Sequence, residues 1–251
     1  EEITQQLRES SEELSRSNAD LQQFAYVASH DLSEPLRKVA NFCQLLERQY
    51  GEQLDDRARQ YIHFAVDGAK RMQVLITDLL SLSRVGRTTE SFEPVDLDRA
   101  LDQALANLSD RIEAAGARVD RPGSLPTVSG DFSLLTSLLE NLVGNAVKYR
   151  REDVAPVVRI EVARDGAQWT FAVSDNGIGI DPQYSERIFA VFQRLHLRDQ
   201  YGGTGIGLAL CRRIVEFHGG HIWLDPVESA AGAIFRFTLP EEGGPRAEPR
   251  Q

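Results

Sequence analysis

The ten residues Glu140-Asn141-Leu142-Val143-Gly144-Asn145-Ala146-Val147-Lys148-Tyr149 carry two patterns at once. They end a helical run that begins at Phe132, in which Leu135, Leu138, Leu142 and Ala146 fall on one face and predict a buried side. Asn141, Asn145 and Lys148 are four and three residues apart, so they share a different face. Asparagine inside a helix costs about 0.5 kcal/mol or more relative to alanine, and two aligned asparagines ask for a reason. A carboxamide oxygen can ligate a hard cation without repelling a polyanion, and the lysine can offset phosphate charge directly. The other reading is a solvated helix face. This helix alone leaves both open.

Downstream, Trp169-Thr170-Phe171-Ala172-Val173-Ser174-Asp175-Asn176-Gly177-Ile178-Gly179 reads as a strand that runs into a turn. Alternation puts Trp169, Phe171, Val173 and Asp175 on one side, so a carboxylate ends an apolar row. Burying it unpaired costs several kcal/mol, and the amino group of a purine is a suitable donor for it. Gly177 and Gly179 permit close approach of a flat ring, although an ordinary Asp-Asn-Gly turn has the same letters. Further on, Gly202-Gly203-Thr204-Gly205-Ile206-Gly207-Leu208 leads into a helical pattern from Ile206 to Phe217, where free amides and the helix dipole favour an anion. A dinucleotide-binding reading fails, because Gln193 to Tyr201 is polar and no buried strand precedes the glycines. A Walker A loop fails too, for want of Gly-Lys-Ser/Thr. What remains is a glycine-hinged loop, a phosphate site, or a lid that is both.

Helical spacing also marks Leu97 to Ile112, and strand-like runs occupy 157–162, 169–173, 221–224 and 233–239. With no repeated βαβ unit, these elements predict an α/β two-layer sandwich. Upstream the character differs. Leu7, Leu14, Leu21 and Ala28 recur every seven residues with Ile3, Ser10, Ser17 and Phe24 at the paired positions, a heptad seam weakened by two serines. The periodicity continues to Leu46, breaks at Gln49-Tyr50-Gly51-Glu52, and resumes from Leu54 to Leu82. Two long amphipathic helices joined by a short turn make an antiparallel hairpin whose apolar face is too broad for one chain, so two hairpins paired as a four-helix bundle are expected. Polar residues and a closing proline between Gly86 and Pro94 read as a hinge.

A formal charge of −10 argues against a general nucleic-acid backbone binder, which concentrates Lys and Arg. The two cysteines, Cys43 and Cys211, fit neither a zinc motif nor a disulfide framework, and a reducing cytoplasmic setting follows. A first residue that is not Met, inside a helical pattern, reads as the continuation of a longer protein with a sensor upstream.

Taken in order, these motifs resemble a known family. Glu140 to Tyr149 looks like an N box, Asp175 to Gly179 like a G1 box, Ile188-Phe189-Ala190-Val191-Phe192 like an F box, and Gly203 to Leu208 like a G2 box. Together they resemble the Bergerat ATP-binding fold of sensor histidine kinases, whose H box is matched by Ala28-Ser29-His30-Asp31-Leu32-Ser33-Glu34-Pro35-Leu36-Arg37. The H box and Phe192 to His196 look similar to the bacteriophytochrome type. The fold expected is therefore α+β: a helical-hairpin dimerisation domain followed by a Bergerat-type α/β sandwich.

The resemblance implies His30 as phosphoacceptor, Asp31 as its orienter or base, and a homodimer that passes phosphate from ATP and Mg2+ to the aspartate of a response-regulator receiver domain. It implies Asn145 as metal ligand, Asn141 as its support, Lys148 as phosphate contact, and Tyr149 near the adenine. Asp175 would bind the base amino group, with Gly177, Gly179, Gly203, Thr204, Gly205, Gly207 and Leu208 shaping the pocket. Arg194 is the preferred phosphoryl contact over His196 and Arg198, while Phe189 and Phe192 are packing residues. Pro35 should bend the helix beside His30. Glu34 stands where kinases with strong phosphatase activity often carry Thr or Asn. His63, His218 and His221 read as structural. The division expected is a coiled-coil linker over 1–20, dimerisation and phosphotransfer over 21–86, hinge over 87–94, ATP-binding domain over 95–240 and disordered tail over 241–251, with a photosensory module as the implied upstream partner. Rival readings are a Bergerat ATPase of another kind, a nucleotide-binding scaffold without phosphotransfer, and a net phosphatase.

Overall fold

The computed structural model describes residue 5 and residues 31–86, 92–121, 123–195, 203–226 and 232–241. The chain divides into two compact units between Arg84 and Val85. His30, the heptad seam up to Ala28, His196, Arg198 and Gly202 lie outside the described residues.

The first unit is a helical hairpin. Helix α1 covers 31–50, running through Pro35, and α2 covers Asp56–Arg84. The turn forms because Gln53 N–H donates to Tyr50 O at 2.8 Å, and because a Cβ at Gly51 would stand 2.3 Å from Glu47 O. Asp55 then caps α2, its Oδ1 accepting from Ala58 N at 2.7 Å. Ala40, Val66 and Ala69 are buried, yet Phe42, Tyr61 and Phe64 keep 65%, 58% and 57% of their surface exposed. A single hairpin therefore leaves a wide apolar face in water, as the periodicity implies. His63 is exposed on α2.

In the second unit, β1 (Glu93–Asp96) pairs antiparallel with β3 (Thr127–Gly130). Between them stand α3 (Leu97–Asn107), α4 (Ser109–Ala115) and β2 (Arg118–Asp120). After β3 come α5 (Phe132–Lys148), β4 (Val157–Asp165), β5 (Gln168–Asp175), two 3₁₀ turns, α6 (Gly207–Phe217), β6 (Ile222–Leu224) and β7 (Ile234–Pro240). The main sheet runs β2-β4-β5-β7-β6, antiparallel except for β2 with β4. Helix α5 packs on α3, α6, β4 and β5, so it is the centre of the helical layer. Beneath it Phe171 and Phe237, neighbours on β5 and β7, stack at 4.8 Å between ring centres and are almost wholly buried. Truncating either to alanine would cost ~3–5 kcal/mol.

Three expectations change. The helix read as continuous from Leu97 to Ile112 is broken at Leu108 (φ −99°, ψ 1°), whose N–H still bonds back to Ala104 while its own carbonyl starts α4 by accepting from Ile112. Leu108 is buried, so the apolar period continues across the break. Strands β1, β2 and β3 are three or four residues long, too short to show a period. Glu93 and Pro94, expected in the hinge, are instead the first two residues of β1, paired with Gly130 and Ser129. At the other end Glu241 is held, its N–H donating to Ala167 O at 3.0 Å and its carboxylate pairing with Arg164.

His218 ends α6 in a closed environment. Its Nδ1 lies 2.7 Å from Ile214 O, and its Nε2 accepts from Asp131 N at 3.0 Å, which fixes the neutral tautomer with the proton on Nδ1. Phe92 stacks on the ring at 4.9 Å. Burial pushes its pKa below the ordinary 6.5, against the Ile214 hydrogen bond and the Asp131 charge that favour protonation. Below pH 6.5 the unfolded chain gains a proton that the folded one refuses, so this residue's contribution to stability shrinks as pH falls. Both tryptophans, Trp169 and Trp223, lie in this unit, and their fluorescence reports its melting. Lowering the pH from 6.5 by about one unit should reduce the melting midpoint more in the unsubstituted chain than in His218→Gln. Parallel pH dependences would refute this role.

Candidate functional site

The polar face of α5 meets the glycine-rich segment. Asp131 caps the helix by accepting from Ser133 N and Leu134 N at 2.8 and 3.0 Å, which sets its register. Leu135, Leu138, Leu142 and Ala146 then turn inward and are buried as expected. On the other face Asn141 Nδ2 donates to Ser137 O at 2.8 Å, leaving Oδ1 against Gly207, where a Cβ would stand 2.6 Å away. Lys148 Nζ donates to Tyr149 Oη at 2.9 Å and sits over that ring at 4.3 Å from its centre. A Cβ on Gly203 would lie 2.6 Å from the same Nζ. Asn145 lies between Asn141 and Lys148 on this half-buried face, and no described residue hydrogen-bonds its carboxamide. Two motifs more than fifty residues apart thus form facing walls.

One end of the cleft is set by Asp175. Its Oδ1 accepts from Gly177 N at 2.8 Å and Ala233 N at 3.2 Å. Burial raises the carboxyl pKa above its ordinary value, while those two amides and the Arg151 charge act in the opposite direction. Among the described residues nothing donates to Oδ2, which is left for a ligand. The turn is held by Asn176, whose Oδ1 accepts from Val157 N at 2.8 Å and whose Nδ2 donates to Ala155 O at 3.0 Å. Gly177 is required, since a Cβ would meet Tyr149 O at 2.3 Å. Arg151 Nε donates to Gly177 O at 3.0 Å, and Ile178 N donates to Tyr149 O at 3.0 Å. Ser137, Arg151, Asn176 and Ala233 were not among the residues expected here. Only Asn176, inside the motif, left a sequence signal.

The two 3₁₀ turns, Pro182–Tyr184 and Arg187–Phe189, carry the chain from this floor to the glycine segment. Phe189 is buried, edge-on to Phe235, and covered by the Arg212 guanidinium at 4.4 Å, so its packing role is as expected. Phe192 departs from expectation. It is 57% exposed, with φ 65°, and that left-handed turn aims the ring outward while Phe192 N donates to Gly205 O at 3.0 Å. Arg194 Nη1 donates to Gly203 O at 2.8 Å, so its guanidinium is engaged at the base of the loop. Thr204 Oγ1 accepts a long bond from Ile206 N at 3.4 Å. Among the described residues helix α6 starts with no side-chain cap, and its first residue, Gly207, lies against Asn141 of the α5 row. A polar row, an uncapped helix start and a lysine at one end, with a half-buried carboxylate at the other, suit a purine polyphosphate.

The family profile described as "Histidine kinase-, DNA gyrase B-, and HSP90-like ATPase" matches residues 130–243, and that of the "His Kinase A (phospho-acceptor) domain" matches 20–88. Cyanobacterial phytochrome A of Nostoc sp. (strain PCC 7120 / SAG 25.82 / UTEX 2576) is 49% identical over 96% of the chain. Phytochrome-like protein Cph1 of Synechocystis sp. (strain ATCC 27184 / PCC 6803 / Kazusa) is 47% identical over 94%. The chain spans 31% of the length of each. Among solved structures, full-length ShkA in complex with AMPPNP is similar at TM-score 0.68 and 29% identity, over 89% of this chain and 46% of that one. Mycobacterial sensor histidine kinase MprB is similar at TM-score 0.51 and 28% identity, over 61% of this chain and 99% of that one. With a phosphoacceptor hairpin followed by an ATPase sandwich, and relatives alike over nearly its whole length, the chain belongs to the histidine kinases.

Proposed function

We propose that the chain is the transmitter of a two-component system, a homodimer that binds ATP in the sandwich and phosphorylates its own His30. The observation that carries this reading is the close approach of Asn141 to Gly207 and of Lys148 to Gly203, which brings a carboxamide and an ammonium, groups suited to phosphate and its cation, to one cleft. The base lies at the Asp175 end, its 6-amino group donating to the carboxylate beside Gly177 and Gly179, with Tyr149 flanking it. The phosphates lie toward Lys148 and the α6 amides. Asn145, whose carboxamide no described residue engages, fits a Mg2+ ligand, and Asn141 supports it. That ion, when bound, neutralises phosphate charge during transfer.

The imidazole nitrogen of His30 attacks the terminal phosphorus, the bond to the bridging oxygen breaks, and ADP departs. Asp31, exposed on α1, orients the ring or takes its proton. The phosphoryl group then passes to a carboxylate oxygen of a receiver-domain aspartate, restoring the free imidazole. Glu34 is paired with Lys38 at 2.7 Å, and an ionised carboxylate four residues after His30 in the sequence has no hydrogen to donate where Thr or Asn would. Kinase output therefore stands ahead of net phosphatase output. The exposed apolar face of the hairpin supports the dimer as a four-helix bundle. The two relatives named as phytochromes support a photosensory module as input. No helix among the described residues is long and apolar enough to cross a membrane.

Incubation with ATP labelled at the terminal phosphate should give an acid-labile, base-stable label. His30→Ala should abolish it while ATP binding persists, and Asn145→Ala should lower it by about a hundredfold. Undiminished label in His30→Ala would exclude this acceptor. Asp175→Asn should weaken ATP binding by about ten- to a hundredfold at neutral pH, measured by calorimetry. Unchanged affinity would remove the carboxylate from base recognition.

A further inference from the structure

Four hydrogen bonds join the loop after α5 to the turn after β5. They run from Ile178 N to Tyr149 O, from Val157 N to Asn176 Oδ1, from Asn176 Nδ2 to Ala155 O, and from Arg151 Nε to Gly177 O. The first three bind the backbone of the loop to the turn by neutral groups. The fourth, at 3.0 Å, brings a charge into a half-buried position. Gly177 links that charge to Asp175, since its carbonyl accepts from Arg151 while its N–H donates to the Asp175 Oδ1 at 2.8 Å. Its peptide cannot be braced by a side chain of its own, because a Cβ there would strike Tyr149 O.

We propose that Arg151 is a positioning residue of the purine subsite: by fixing the Gly177 peptide and setting a cation beside Asp175, it holds that carboxylate in register with the 6-amino group of the base. The inference rests on the ATP reading above and deepens it. Arg151 acts through Gly177 and Asp175 and touches no reacting atom. Among the described residues that act on Asp175, Arg151 supplies the charge; the others are the Gly177 and Ala233 amides, and burial opposes all three. A carboxylate only accepts hydrogen bonds and so selects a 6-amino purine, whereas a protonated carboxyl can also donate to a 6-oxo group. Removing the cation therefore weakens binding of the amino base and blurs its distinction from the oxo base, and it makes the carboxyl protonate at a higher pH.

The test compares equilibrium binding of ATP and ITP to the intact chain and to Arg151→Met and Arg151→Lys, from about pH 8 down to about pH 5.5. Arg151→Met should lose about tenfold in ATP affinity and little in ITP affinity, narrowing the preference, and the acid limb of ATP binding should move to higher pH. Arg151→Lys should restore the acid limb, because the charge returns, and recover only part of the affinity, because the Nε bond to Gly177 does not. Equal losses for both nucleotides with an unmoved acid limb would reduce Arg151 to a structural brace and overturn the inference, as would unchanged binding of both. Should Arg151→Met fail to fold by tryptophan fluorescence, Arg151→Lys alone decides: a loss selective for ATP supports the inference, and an equal or absent loss overturns it. If the unsubstituted chain binds neither nucleotide, the ATP reading falls first and this inference with it.

Discussion

Helix α5 has to satisfy two opposite surroundings on one cylinder, and the rest of the second unit is arranged around that requirement. Its apolar row is sealed among α3, α6 and the sheet, where Leu138 and Val143 are wholly buried. Its polar row runs from Ser137 through Asn141 and Asn145 to Lys148, with Asn141 against Gly207 and Lys148 against Gly203. The 3.6-residue period keeps the rows apart, and a rotation by one position would drive carboxamides into the core at a cost of several kcal/mol. The Asp131 cap at one end and the Tyr149 turn at the other therefore locate every group at the cleft.

The second fixed point is the Asp175 carboxylate at the end of β5, the central strand of the sheet. This half-buried carboxyl is held by amides from its own turn and from Ala233, the residue before β7, so two segments nearly sixty residues apart converge on one oxygen. Gly232, just before β7, is needed for that convergence, because a Cβ would fall 1.8 Å from Asp175 O. The sheet register thus sets the geometry around this carboxyl, and burial strengthens each hydrogen bond made there. Helix α6 joins this cleft to the entrance of the unit: it begins at Gly207 beside Asn141 and ends at His218 beneath Phe92 and Asp131. The hairpin, with its apolar face open, is incomplete as a single chain in a way the sandwich is not.

Much of this was legible in the letters. Long elements with a strong period, α2, α5, α6, β4 and β5, appear where spacing placed them, because burial of one face dictates the period whatever the partner is. The aligned asparagines and the Asp-Asn-Gly turn also announced themselves, being residue types that neither a helix interior nor an apolar strand prefers. The kink at Leu108, the strand beginning at Glu93 and the outward turn of Phe192 did not, since each is settled by neighbours distant in sequence.

Local chemistry therefore determined which elements form, which face of each is apolar, and which polar side chains stand apart from the core. Tertiary structure alone decided that Gly207 should press on Asn141, that Arg194 should close on Gly203, and that Arg151, an unremarked charge in a loop, should stand beside Asp175. The physical reason is that hydrogen bonds and burial act between surfaces, and a linear pattern specifies each surface without naming the one it will meet.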